Sequence, residues 1–107
     1  MKSTHFCIIT TTLHDIDLAK SIIAVLLEKN LAACVQMHLV ESFYNWQGKM
    51  ENTKEVLLQI KTRVTLFEKV KQEIKTLHDY EVPEIIMTPI IRGNSAYLKW
   101  IEDETKT

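Results

Sequence analysis

The chain has 107 residues, 46% of them apolar and 25% charged, with a formal net charge of −1. That length suits one domain, residues 1–107, with an ordinary hydrophobic core, and the balance is that of a soluble globular protein. The basic residues are scattered, which excludes the electrostatic footprint of a nucleic-acid or anionic-membrane binder, and no stretch approaches the roughly 20 apolar residues of a membrane span.

The first residues, MKSTHFCIITTT, hold too short an apolar run for a signal peptide, so a cytoplasmic location is expected. HFCIITTT is rich in β-branched residues and reads as a first strand. Asp15 is an N-cap candidate, and Ile16, Ala19, Ile23, Leu26 and Leu27 then form a helical stripe that should stop near Asn30. Val35, Met37 and Leu39 alternate with polar neighbours, as do Val56, Leu58 and Ile60. Gly48 occupies the turn-like spot between these two arms, which predicts a long hairpin. Thr65 followed by Glu68 has the spacing of a capping box. Leu66, Val70, Ile74 and Leu77 give a second helical stripe ending at His78. EIIMTPII is a strand, and NSAYLKWIEDE closes the chain with a short helix.

The order β-α-β-β-α-β plus a terminal helix predicts an α+β, ferredoxin-like sandwich with both helices on one face of an antiparallel sheet. The hairpin is too long for such a domain. Its arms, residues 34–47 and 49–61, would each span roughly 45 Å, against a diameter of about 34 Å for a compact globule of this size. Phe43, Tyr44 and Trp46 sit on the overshooting part. Apolar residues also occur on both strand faces in EVLLQI. A hairpin lying on a neighbouring copy resolves both facts, so a closed homo-oligomeric ring is expected, with a bent hairpin as the alternative.

Chemistry-bearing groups are sparse. Gly48 and Gly93 are the only glycines, which excludes phosphate-cradling and dinucleotide loops, and no nucleotide or organic cofactor is expected. Cys7 and Cys34 fall in strand-like segments and read as buried free thiols, and the lack of paired Cys/His spacing excludes a structural zinc site. HDYEVPEII, residues 78–86, supports two readings. One is a helix stop followed by a solvated turn, in which Pro83 keeps Val82 extended. The other is a divalent-ion site in which Glu81 and Glu84 converge on His78, an imidazole–carboxylate set suited to copper or zinc. FYNWQGKMENTKE likewise serves either as interface packing or as an aromatic ligand rim. Lys61 is either an anion-binding lysine in a cleft or an exposed strand-end lysine. No nucleophile stands beside a base, so no enzymatic activity is expected.

LAACV, FYNWQGKME, EVLLQIKT, LHDYEVPEII and AYLKWI occur in this order, and together they resemble the CutA family of divalent-cation tolerance proteins over nearly the whole chain. The resemblance implies a tight homotrimer similar in architecture to the PII signalling proteins, with long hairpins engaging neighbours. It also implies a link to copper and other divalent cations. Tyr44, Trp46, Lys61, His78, Tyr80 and Glu84 match positions lining the family's inter-subunit clefts. Asp79 stands where the family usually has proline. Thr11 stands where some members carry a cysteine proposed for copper, which shifts the expected ion from cuprous toward cupric. Three functions follow as expectations: a trimer of divalent-metal homeostasis binding ions weakly at His78, Glu81 and Glu84; a PII-like signalling or scaffold trimer taking a small ligand or partner loop; and, least supported, an enzyme using Tyr, Lys and His in the same cleft.

Overall fold

The computed structural model describes residues 5–106. The first four residues, part of the segment read for signal-peptide character, and Thr107 lie outside the described residues. The elements in chain order are β1 (Phe6–Leu13), α1 (Ile16–Glu28), β2 (Cys34–Trp46), β3 (Lys49–Arg63), a 3-10 turn (Val64–Leu66), α2 (Phe67–Leu77), β4 (Ile85–Pro89) and α3 (Ser95–Glu104). The strands form one sheet in the order β2-β3-β1-β4, and every pairing is antiparallel.

Strand alternation divides the side chains between two unlike faces. Cys7, Ile9 and Leu13 of β1 and Val56, Leu58 and Ile60 of β3 point to one face. There they form the main core with Ala19, Ile22 and Leu26 of α1 and Val70 and Ile74 of α2. Phe6 points the other way and packs with Leu98 and Ile101 of α3. The terminal helix therefore covers one end of the opposite face. Its C-terminal end is tied down where the Arg63 guanidinium donates to the Thr105 hydroxyl and carbonyl, each at 2.9 Å. The Lys106 N–H also donates to Asn30 O at 2.8 Å.

Local chemistry explains most boundaries. The Asp15 carboxylate accepts from the N–H groups of Asp17 and Leu18, capping α1 as expected. Asn30, at φ 56°, turns the chain out of the helix. Gln47 and Gly48 both adopt positive φ, 51° and 79°, giving a two-residue turn that joins β2 directly to β3. The thirteen-residue β2 is paired with β3 along its length, and the molecule measures 44 × 26 × 22 Å. The long axis exceeds the diameter of about 34 Å of a compact globule of this size, and the hairpin register runs without a bulge.

Three expectations are corrected. Thr65 and Glu68 form no capping box: a 3-10 turn occupies Val64–Leu66, α2 begins at Phe67, and no side chain caps it. The buried stripe of α1 runs through Ala19, Ile22 and Leu26, while Ile16 and Leu27 are exposed. Cys34 is half-buried rather than buried, although both cysteines are free. Burial pushes the Cys7 thiol from 9.0 up to about 11, which leaves it unreactive near neutrality.

Thr11, on the main-core face, is fully buried, and its Oγ1 has no hydrogen-bond partner. A buried hydroxyl left unsatisfied costs about 1–3 kcal/mol, and an isosteric methyl removes the penalty. Thr11→Val is expected to raise Tm by several degrees in a thermal melt; a lower Tm would show that the hydroxyl has a partner.

Candidate functional site

The chain leaves α2 at His78, whose N–H closes the last turn onto Ile74 O at 2.8 Å while its own backbone is already extended. The imidazole packs against β1 and its side chain is fully buried. Nε2 lies 2.8 Å from Thr12 O. A carbonyl only accepts, so Nε2 carries the proton and donates. Nδ1 then accepts the Tyr80 N–H at 3.1 Å. Both ring nitrogens of His78 are committed to holding the loop against β1.

Two residues on, the Tyr80 hydroxyl donates to Glu55 Oε2 at 2.6 Å, a short charge-assisted bond. Glu55 is buried on β3, directly opposite Val40 of β2. Burial first, and then the Glu55 carboxylate, hold the Tyr80 phenol far above its usual 10.0. The Tyr80 ring stacks on His14, with centroids 5.5 Å apart and planes within 6°, and tilts against His78 at 4.8 Å. Asp79, at the position where proline was expected, lies between the two imidazoles, 3.8 Å from His14 and 3.9 Å from His78.

These contacts build one wall of a cleft of about 620 Å³ between the hairpin and the 78–84 loop. Phe43, Tyr44, Trp46 and Tyr80 supply its aromatic surface, and Glu55, Asp79, Glu81 and Glu84 supply carboxylates. No Lys, Arg or His lines it. The hairpin register explains the aromatic side, because Tyr44 and Trp46 share the face of Glu55. Tyr44 is held by the Thr53 hydroxyl, which donates to its phenol oxygen at 3.2 Å.

Of the residues singled out from sequence, Tyr44, Trp46, Tyr80, Glu81 and Glu84 come together here. His78 stands behind the wall as its support. Lys61 is elsewhere: six residues along β3 from Glu55, about 20 Å away. Its ammonium donates to the Tyr97 hydroxyl at 3.3 Å and lies over that ring. Among the described residues, no three His, Cys, Asp or Glu side chains group as metal ligands, so His78, Glu81 and Glu84 do not converge within one chain. Glu55 and His14 were not singled out from sequence. Glu55 opens an apolar strand run and pairs with a tyrosine 25 residues later, a separation without a local pattern.

Residues 7–104 match the family described as CutA1 divalent ion tolerance protein. The chain is 42% identical to the divalent-cation tolerance protein CutA of Pyrococcus horikoshii, over 92% of this chain and 97% of that one. The solved structure of CutA1 from the psychrotrophic bacterium Shewanella sp. SIB1 is 42% identical, covers both chains fully and superposes with a TM-score of 0.92. A structure described as the periplasmic divalent cation tolerance protein CutA of Archaeoglobus fulgidus is 38% identical, over 94% of this chain and 99% of that one, again with a TM-score of 0.92.

The raised Tyr80 pKa sets a sign for alkaline behaviour. Because the folded value exceeds the unfolded one, the stability that Tyr80 contributes is complete below pH 10 and is lost as pH rises above it. Spectrophotometric titration of tyrosinate is expected to show one late-ionising phenol. Glu55→Gln brings that phase back toward the ordinary value, and Tyr80→Phe removes it. An unchanged late phase in Tyr80→Phe would assign it to another tyrosine.

Proposed function

The chain belongs to the CutA1 divalent ion tolerance family, and from that membership we propose that it serves divalent-cation tolerance, copper included, as a cytoplasmic homotrimer. The observation that carries the reading is the cleft: four carboxylates and no basic side chain face a single solvent-open space. In this reading Glu81 and Glu84 meet a divalent ion through water and carboxylate oxygen. His78 positions their loop, since its nitrogens are already bonded. Such a site suits cupric rather than cuprous ion, and it binds weakly because one chain assembles no full ligand set.

Several features support the trimer. The order β2-β3-β1-β4, with α1 and α2 on one face, supports the ferredoxin-like reading, and it leaves β2 and β4 as unpaired edges. Pairing β2 of one copy with β4 of the next would be a heterologous contact, the kind that forms a ring where its rotation closes. Leu39, Phe43 and Met50 on the hairpin are 78%, 65% and 69% exposed in the single chain, more apolar surface than a free hairpin tolerates. The same ring carries a second reading, a PII-like trimer whose cleft takes a small organic ligand; the aromatic wall favours it. We read the chain as non-catalytic, in keeping with a family named for divalent ion tolerance. The cytoplasmic placement is supported by two free cysteines.

Sedimentation equilibrium is expected to give three times the chain mass, falling to one chain mass in the Leu39→Glu/Phe43→Glu double variant. A wild-type monomer would remove the trimer. Cupric titration against a competing chelator is expected to show weak saturable binding that falls about tenfold or more in Glu81→Gln/Glu84→Gln. His78→Ala is expected to lower Tm while leaving that affinity within about twofold. Loss of binding in a folded His78→Ala protein would instead make the imidazole a ligand.

A further inference from the structure

We propose that the cleft beneath the hairpin is a receptor for a small organic cation, a primary diamine or polyamine or a quaternary ammonium compound. The inference rests on reading the cleft as a ligand site and names the ligand's chemistry.

The lining consists largely of two kinds of side chain. Tyr44, Trp46 and Tyr80 present aromatic faces, and the π-quadrupole of such a face attracts a cation lying over it. Asp79, Glu81 and Glu84 add negative charge around the same space, with no base on the lining to neutralise it. A low-dielectric aromatic wall focuses that field into the cleft rather than into bulk water. A volume of about 620 Å³ lies within the range of small-molecule sites.

The geometry suits an extended organic cation as well as a weakly held metal ion. A metal ion needs oxygen or nitrogen donors converging at a single point, and among the described residues no such group of three exists. Glu55 is moreover occupied by the Tyr80 hydroxyl. Glu81 and Glu84 stand three residues apart, at most about 10 Å along the chain. Carboxylates beside an apolar wall match ammonium groups joined by methylenes. The alkyl segment covers Trp46 and Tyr44, which are 40% and 39% exposed in the single chain. The His14–Tyr80 stack and the two bonds of His78 hold the wall in place before any ligand arrives.

The test is isothermal titration calorimetry of the intact protein with spermidine, putrescine and choline, and with 1,4-butanediol as the neutral counterpart of putrescine. Saturable binding of at least one cation and none of the diol is expected. Trp46→Ala and Glu81→Gln/Glu84→Gln, both at exposed positions, are each expected to weaken it by about tenfold or more. Glu102→Gln, outside the cleft, leaves it unchanged. Absence of cation binding overturns the inference, as would a neighbouring copy that fills the cleft. Binding insensitive to Trp46→Ala and abolished by moderate salt also overturns it, since that is charge attraction without a site. Chain mass and cupric affinity are measured on the same samples. A trimer that binds cupric ion but no amine defeats this inference alone. A monomer that binds amine defeats the trimer alone, because the residues named for this site lie within a single chain.

Discussion

The register of the β2–β3 hairpin is the constraint on which the rest of the molecule depends. Side chains alternate with a period of two, so a slip of one residue would move every β3 side chain to the opposite face. The turn prevents the slip. Gln47 and Gly48 both lie at positive φ, the backbone that a two-residue connection between twisted strands requires, and Trp46 pairs with Lys49 immediately beyond it. Gly48 adopts this conformation without the penalty a Cβ would bring. From that corner the register runs back through Leu39 opposite Val56 and Val35 opposite Ile60. It delivers Val56, Leu58 and Ile60 to the core and leaves Glu55 on the face where the cleft forms.

The same register makes the polar side of the cleft rigid. Glu55 is a buried carboxylate, and a buried charge persists only where hydrogen bonds replace water. The Tyr80 hydroxyl supplies one such bond, which binds the 78–84 loop to β3. His78 binds the same loop to β1 through Thr12 O. Two strands of one sheet are thus clamped to one loop by two aromatic residues, each of which contributes a polar atom to the clamp. The rise of the Tyr80 pKa is the electrostatic trace of this clamp, since ionising the phenol would bring two anions together beside a desolvated wall.

What was legible in the sequence was local or periodic. The Asp15 cap, the Gly48 corner and the β3 alternation each follow from a few consecutive residues, and even the overshoot of the hairpin follows from counting residues. The misreadings arise where tertiary packing overrides local signals. Thr65 and Glu68 have the spacing of a capping box, yet the chain leaving β3 at Arg63 turns as a 3-10 segment that buries Leu66, and the helix begins only afterwards. His78 carried the strongest metal-ligand character of its segment, but ligand type says nothing about which lone pairs are already engaged. Lys61 was grouped with Tyr44 by family position, whereas the register places it near α3 in the single chain. Glu55 and His14 escaped notice because their roles depend on Tyr80, a partner that only the fold brings near.

The distribution of charge in this chain bears on what tolerance requires of a binding site. The net charge is only −1, so the molecule as a whole attracts cations weakly. The cleft is different: it gathers carboxylates from β3 and from the 78–84 loop and excludes bases. Concentrating negative charge in one concavity raises the local cation concentration without demanding tight coordination. Tight coordination would need donors held within a few tenths of an ångström of a common centre, and it would slow release. In the proposed reading, dispersed carboxylates on a rigid wall would do the opposite, holding a cation by field and contact and letting it go when its concentration falls. On the proposed reading, an open aromatic cleft with dispersed charge would sense or buffer cations rather than sequester them.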